Sequence, residues 1–139
     1  MDRQFEGLTD GLEESGLRET TLIALTADHG QGLSDGFRRH GWAAHRMTYQ
    51  EQIHVPLMFA GPGVPVATTH STLASTVDIV PTLLDLVGIP DLHPSQLRWG
   101  GRSLRPLLEG RDLPPGSAYA DQVNGYDFNA SMTGPRPDA

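Results

Sequence analysis

The segment TLIALTADHG, residues 21–30, constrains the fold of this 139-residue chain more than any other. Its apolar run, residues 22–25, is short and flanked by threonines, which is typical of a strand buried on both faces of a parallel sheet. In sheets of that kind ligands bind beyond the carboxyl ends of the strands. Asp28 and His29 follow the run almost at once, so the pattern predicts a ligand site in the loop after this strand.

Three further stretches carry apolar residues at helical spacing or have clear helix start and stop signals. They predict helices at residues 2–15, 78–87 and 103–109. Asp78 is expected to cap the second helix by accepting N–H groups of its first turn, and Ser103 is expected to cap the third. Gly16, Gly88 and Gly110 stand where the helices should end.

A second strand is predicted at residues 55–60, followed by a turn at 61–65, with a short edge strand near Leu73. The alternation of helices and strands implies an α/β layered fold. Residues 1–121 are predicted to belong to one domain, whereas residues 122–139 are polar and are expected to form an edge segment or a disordered tail.

The composition narrows the classes of function. The formal net charge of −7 argues against nucleic-acid binding and against a polybasic membrane anchor. No apolar run reaches the roughly 20 residues that span a bilayer. The chain has no cysteine, so thiolate metal sites and a cysteine nucleophile are excluded within it. None of this decides the cellular compartment.

Residues 28–48 read as one long loop that holds three histidines, His29, His40 and His45. A carboxylate and an imidazole at a strand end are suitable ligands for a divalent cation, and Gly30 lets the backbone turn without a side chain in the way. Histidines nearby are suited to neutralising an oxyanion. The alternative is that all three are ordinary solvated loop histidines.

Four motifs in order resemble the C-terminal part of the catalytic domain of the sulfatase family, in the alkaline phosphatase-like superfamily. They are TLIALTADHG, HGWAAHRMTYQEQIHVPLMFAGPGV, VDIVPTLLDLVGIP and GGRSLRPLLEGRD. The resemblance covers about residues 5–121. It implies part of a three-layer α/β sandwich with a mostly parallel sheet, incomplete at its N-terminus.

The resemblance also implies roles for individual residues. Asp28 and His29 match the family's metal-ligand pair, for which Ca²⁺ is the first expectation and Mn²⁺ or Zn²⁺ the alternative in a phosphoester or phosphonate enzyme. His45 matches the catalytic Lys or His that contacts the oxygens of the sulfate or phosphate ester substrate. His40 matches the histidine of the H-G step and is expected to bind substrate with His45. Gln31 stands where the family often has glutamate.

One expected element is missing from the sequence. Family members carry a C/S-x-P-S-R motif whose Cys or Ser becomes the formylglycine nucleophile, and this chain has no such motif. We therefore expect the nucleophile in an absent N-terminal half of the domain, with weak metal binding and no turnover by the 139-residue chain alone.

Three functions remain open from the sequence. The first is a metal-dependent sulfuric ester hydrolase. The second is a phosphonate or phosphate ester hydrolase, or a phosphoethanolamine-type transferase, of the same superfamily. The third is a non-catalytic remnant, or a module that completes a site with another chain.

Overall fold

The structure is a computed structural model that describes residues 2–31, 48–89 and 100–121. Within these ranges the regular elements are short and are separated by irregular segments. Their order is α1 (Asp2–Glu14), a 3₁₀ turn (Arg18–Thr20), β1 (Ile23–Thr26), α2 (Gln50–Ile53), β2 (Leu57–Ala60), a second 3₁₀ turn (Thr76–Asp78), α3 (Ile79–Leu86) and α4 (Arg105–Leu108).

The chain divides into two compact units. One comprises Met1–Thr26 and Leu57–Ala118 and holds both strands together with helices α1, α3 and α4. The other comprises Ala27–Pro56 and Tyr119–Ala139 and holds the Asp28-His29 turn and α2. The predicted boundary at residue 121 stays a prediction, because residues 122–139 lie outside the described residues.

Helix α1 confirms the prediction for residues 2–15 to within one residue. It ends at Glu14, and two residues later Gly16 adopts a left-handed φ of 68° that favours glycine. The N–H of Gly16 donates to Glu13 O and that of Leu17 donates to Leu12 O, so the last carbonyls of the helix are satisfied.

Strands β1 and β2 pair antiparallel, with Ile23 opposite Ala60 and Thr26 opposite Leu57. The expectation of a parallel neighbour for β1 is not met by this pair, and the β1 side chains Ile23–Leu25 are half-buried. The apolar run favoured a parallel neighbour, but such a run also fits a half-buried strand with an antiparallel partner.

The predicted edge strand near Leu73 is wrong, since residues 61–75 contain no strand. The carbonyl of Leu73 instead accepts a hydrogen bond of 3.2 Å from Arg102 Nη2, a side-chain donor. The turn predicted at residues 61–65 is confirmed, and Gly61 and Gly63 in it have φ of 124° and 77°.

Helix α3 begins after a capping box, in which Asp78 Oδ2 accepts the N–H of Ser75 at 2.9 Å. The predicted cap is thus corrected. The Asp78 carboxylate bonds the N–H before the 3₁₀ turn, and its Oδ1 accepts the N–H of Arg102 at 2.9 Å. Asp78 is buried, so its carboxylate ties the start of α3 to the segment that leads into α4.

Thr82 continues this connection one turn along α3. Its hydroxyl donates to Asp78 O at 2.6 Å and accepts the N–H of Leu104 at 2.9 Å. Gly101 permits the close approach, because a Cβ there would overlap Val77 O and lie 3.0 Å from Asp78 N. Leu104 and Leu107 are the buried apolar side chains among the described residues, so the core lies at this junction.

Asp85 completes the junction. Its Oδ2 accepts a hydrogen bond of 2.6 Å from Ser103 Oγ, and its Oδ1 lies 3.1 Å from Arg105 Nη1. Ser103 does not occupy the predicted cap position of α4, which is held by Leu104, although its Oγ accepts the N–H of Arg105. We call Asp78, Thr82, Asp85, Ser103 and Arg105 the α3–α4 polar cluster.

Candidate functional site

The candidate site is the turn Asp28-His29-Gly30, which we call the Asp-His turn. Strand β1 ends at Thr26, so the turn begins two residues beyond the strand. The Asp28 side chain is 89% exposed, and its Oδ1 accepts the N–H of His29 at 2.9 Å. This local hydrogen bond is typical of aspartate after a strand. It orients the carboxylate and leaves most of its surface accessible.

The His29 ring is held by its own neighbour. Nδ1 lies 2.7 Å from Gly30 O, and because a carbonyl can only accept, Nδ1 must carry the proton. In the neutral ring the lone pair then resides on Nε2, which lies 3.7 Å from Asp28 Oδ2. One carboxylate oxygen and one ring nitrogen therefore converge, each able to donate an electron pair.

Gly30 connects the Asp-His turn to helix α2 in the same unit. Its N–H donates to Gln52 O at 2.7 Å. A Cβ on Gly30 would overlap Glu51 O, and it would lie 3.0 Å from the Glu51 carbonyl carbon and 3.2 Å from Gln52 Cα. The glycine thus has a different reason from the expected one. Close approach of another backbone, and not the turn itself, excludes a side chain.

The remaining histidines are distributed as follows. His40 and His45, the predicted substrate-binding residues with His45 also catalytic, lie outside the described residues, so their roles stay predictions. His93 also lies outside the described residues, whereas His54 and His70 are exposed. In the part of the chain that the structure describes, no group of three or more His, Cys, Asp or Glu side chains is placed to hold a metal ion.

Asp28 and His29 fit a divalent cation by their donor chemistry, since carboxylate oxygen and imidazole nitrogen are common metal ligands. The hydrogen bond from Nδ1 to a carbonyl is the support that metal-ligating histidines usually have. Two ligands are fewer than the six to eight oxygens that Ca²⁺ takes. The described residues thus supply part of a coordination shell.

The helices and strands among the described residues define an α/β protein, with Asp28 and His29 just after β1. Comparison with known proteins makes this assignment specific, because the family model named Sulfatase matches residues 1–89. The chain belongs to the sulfatase family.

Individual relatives agree with the family. Arylsulfatase K of Gallus gallus is 35% identical over 137 residues, which cover 94% of this chain and 24% of the relative. The low-salt glycan biosynthesis sulfotransferase Agl7 of Haloferax volcanii is 44% identical over 85 residues, 60% of this chain and 21% of the relative. The chain spans roughly a fifth to a quarter of the length of these curated relatives.

A solved structure gives the same result for the fold. A phosphonate monoester hydrolase from Silicibacter pomeroyi superposes with a TM-score of 0.67 and 33% identity, over 84% of this chain and 21% of that one. The α/β, alkaline phosphatase-like fold class expected from the sequence is confirmed. Among the described residues, no helix is both long enough and apolar enough to cross a membrane.

Proposed function

We propose that this protein is a metal-dependent sulfuric ester hydrolase, in which Asp28 and His29 are two of the ligands of the cation. Membership of the sulfatase family and the arylsulfatase relative support the reaction class. The position of the pair two residues beyond β1 supports the site, because ligands in α/β sheets bind beyond the ends of strands.

The observation that carries the proposal is the orientation of the His29 ring. With the proton of the neutral ring on Nδ1, Nε2 can donate an electron pair, and it lies 3.7 Å from Asp28 Oδ2, a second electron-pair donor. An exposed Asp28 carboxylate gives an ion a path from solvent.

The cation, which we propose to be Ca²⁺, would polarise the ester oxygens and activate the nucleophile. The residues of this chain would hold the cation. Asp28 contributes negative charge, and His29 contributes a ring nitrogen whose direction is fixed by the hydrogen bond to Gly30 O. His45 is proposed to donate hydrogen bonds to the sulfate oxygens as charge develops on the leaving group, with His40 beside it.

The nucleophile is proposed to be a formylglycine that the 139 residues do not supply, because they contain neither cysteine nor the C/S-x-P-S-R motif. By itself the chain is therefore expected to bind metal weakly and to leave aryl sulfates intact. Tight stoichiometric metal binding together with aryl-sulfate hydrolysis by the 139-residue chain would contradict this part of the proposal.

The test is a rate measurement on the protein expressed from its complete reading frame. Asp28→Asn keeps the size of the side chain and removes its charge, so kcat/KM for an aryl sulfate should fall at least about 10²-fold. Asp10→Asn, at an exposed position on α1, is the matched control and should leave the rate unchanged. Equal rates for both variants would remove Asp28 from the site.

His45 is tested in the same protein. His45→Ala should lower turnover of the aryl sulfate by about 10²-fold or more, in line with loss of one preorganised donor to the developing charge. His70→Ala, at an exposed position, is the control. Unchanged kinetics for His45→Ala would exclude the residue from the reaction.

A second candidate function is hydrolysis of phosphonate or phosphate esters, favoured by the structural similarity to the phosphonate monoester hydrolase. The same Asp-His pair would then hold Mn²⁺ or Zn²⁺. The two functions differ in the ratio of kcat/KM for an aryl sulfate to that for a phenyl phosphonate monoester. A ratio above one supports the sulfatase, and a ratio well below one supports the phosphonate enzyme.

A further inference from the structure

We infer that Gly30 is a positioning residue, whose backbone fixes the tautomer and direction of the His29 imidazole by joining it to helix α2. The positioning of the His29 ring stands by itself, whereas its use in metal binding rests on the proposed function. Three observations within one compact unit carry it: two hydrogen bonds of Gly30 and the space around its Cα.

The two hydrogen bonds run through the single residue Gly30. Its carbonyl accepts the proton of His29 Nδ1 at 2.7 Å, and its N–H donates to Gln52 O at 2.7 Å. Both distances are short for bonds between nitrogen and oxygen. The imidazole is thus connected to α2 through one residue of backbone, with no flexible side chain between them.

Helix α2 is a suitable anchor for this connection. The N–H groups of Gln52 and Ile53 both donate to Tyr49 O, at 2.9 and 3.0 Å, and the N–H of His54 donates to Gln50 O at 2.8 Å. Carbonyls in the last turn of a helix have no partner within the helix, and that of Gln52 accepts the N–H of Gly30. Gln52 is also buried, with 3% of its surface exposed.

The space around Gly30 makes the connection specific for glycine. Its φ lies outside the left-handed region, so an L-residue meets no torsional obstacle there. The obstacle is the backbone of Glu51 and Gln52, which a Cβ would overlap. Alanine at this position must therefore move the Asp-His turn away from α2, which lengthens the bond to Gln52 O and displaces the carbonyl that holds Nδ1.

The experiment is ¹⁵N NMR of the 139-residue chain at a pH where the histidines are neutral. His29 should show the Nδ1–H tautomer, and a through-hydrogen-bond coupling should join Gly30 N to the Gln52 carbonyl carbon. Gly30→Ala should shift His29 toward the Nε2–H tautomer and abolish the coupling, while His54 and His70 stay unchanged. Gly100→Ala is the matched control, because a Cβ there meets nothing within 4 Å and its φ is unstrained.

Mn²⁺ is the probe for the consequence at the metal. Its broadening of the His29 ring signals should require about 10- to 100-fold more Mn²⁺ in Gly30→Ala than in the wild type, as when a supporting hydrogen bond of a ligand is lost. If Gly30→Ala changes the His29 tautomer but Mn²⁺ does not broaden the His29 signals of the wild type, the positioning role is supported and the metal site is contradicted.

Other outcomes overturn the inference. One is a His29 tautomer that is the same in Gly30→Ala and in the wild type, and another is an equal shift in Gly100→Ala. If Gly30→Ala fails to fold, the wild type alone decides. A wild-type His29 with its proton on Nε2, or a missing coupling between Gly30 and Gln52, refutes the connection, and their presence supports it.

Discussion

Asp28 and Asp78 are chemically the same residue in two opposite settings. The Asp28 side chain is 89% exposed; its Oδ1 accepts the N–H of His29, and its Oδ2 lies 3.7 Å from Nε2 of the same residue. Asp78 is 5% exposed, and its carboxylate accepts N–H groups from Ser75 and from the distant Arg102. One aspartate connects separate segments of the chain, and the other presents its oxygens to solvent.

The difference indicates how structural and functional carboxylates can be distinguished. In the described residues no buried side-chain nitrogen or oxygen lacks a hydrogen-bond partner, so Asp78 and Thr82, the buried members of the α3–α4 polar cluster, are satisfied. Such a cluster stabilises the fold and has little capacity left for a ligand. In the Asp-His turn two electron-pair donors lie 3.7 Å apart, and the Asp28 carboxylate is exposed to solvent.

The largest expected effect on stability comes from replacing Asp78, the buried aspartate of the pair. Asp78→Ala removes the charged acceptor of two N–H groups, so we expect a loss of about 3 kcal/mol in the free energy of unfolding. Urea denaturation of the metal-free chain measures it. Asp112→Ala, at an exposed position, is the control and should change little. A loss for Asp78→Ala below about 0.5 kcal/mol would contradict the structural role.

The second-largest expected effect on stability comes from a substitution in the α3–α4 polar cluster that leaves its charge unchanged. Thr82→Val keeps the shape of a fully buried side chain but removes the hydroxyl that accepts the N–H of Leu104. A buried donor left without a partner should cost about 2 kcal/mol. Thr82→Ser restores the hydroxyl and should recover part of the loss. If valine and wild type unfold at the same urea concentration, the hydroxyl does not hold the two helices together.

Local patterns in the sequence were sufficient for helices α1 and α3 and for strands β1 and β2, but they missed α2 and wrongly predicted an edge strand near Leu73. The spacing of Phe5, Leu8 and Leu12, with Gly16 after them, predicts α1 to within a residue, because periodicity and a left-handed stop are both local signals. The pairing of β1 with β2 and the partners of Asp78 were not predictable in the same way. Arg102, which donates to Asp78, is 24 residues further along the chain.

The candidate site shows the same limit. The role of metal ligand stays a prediction for Asp28 and His29, but their placement side by side after a strand was predictable from the sequence. The role of Gly30 was not, since the atoms that exclude a Cβ belong to Glu51 and Gln52 in a later segment. The family order of D-H-G followed by Y-x-E was the available signal, but order along a chain does not reveal which backbones touch.

A smaller effect concerns the surface beside the α3–α4 polar cluster. Hydrogen bonds from Arg111 and Arg105 lower the pKa of Glu109 below its usual value. A lowered carboxyl pKa stabilises the folded state above the unfolded pKa, and this contribution is lost as the pH falls from about 4.3 through the folded value.

Glu109→Gln should therefore be slightly less stable than wild type at pH 7, and the difference should disappear in acid. Because the groups are exposed, added salt should also reduce it. Glu13→Gln, exposed on α1 and outside this group of charges, is the control. Thermal unfolding at pH 7 and pH 3 gives the comparison. A difference between wild type and Glu109→Gln that grows toward low pH would reverse the assigned sign.

The smallest expected effect on the fold is also the sharpest test of the comparison between the two aspartates. Asp28→Ala should change the stability of the metal-free chain by no more than about 0.5 kcal/mol, because the side chain is exposed. The proposed metal binding should reveal the difference. If Ca²⁺ binds the folded state alone, Ca²⁺ at 100 times its dissociation constant should stabilise the wild type by about 2.7 kcal/mol. Asp28→Ala should lose that gain, whereas a milder variant of the buried cluster, Thr82→Ser, should keep it. If Asp28→Ala is stabilised by Ca²⁺ as much as the wild type, the exposed aspartate is an ordinary surface residue and the contrast with Asp78 is one of burial alone.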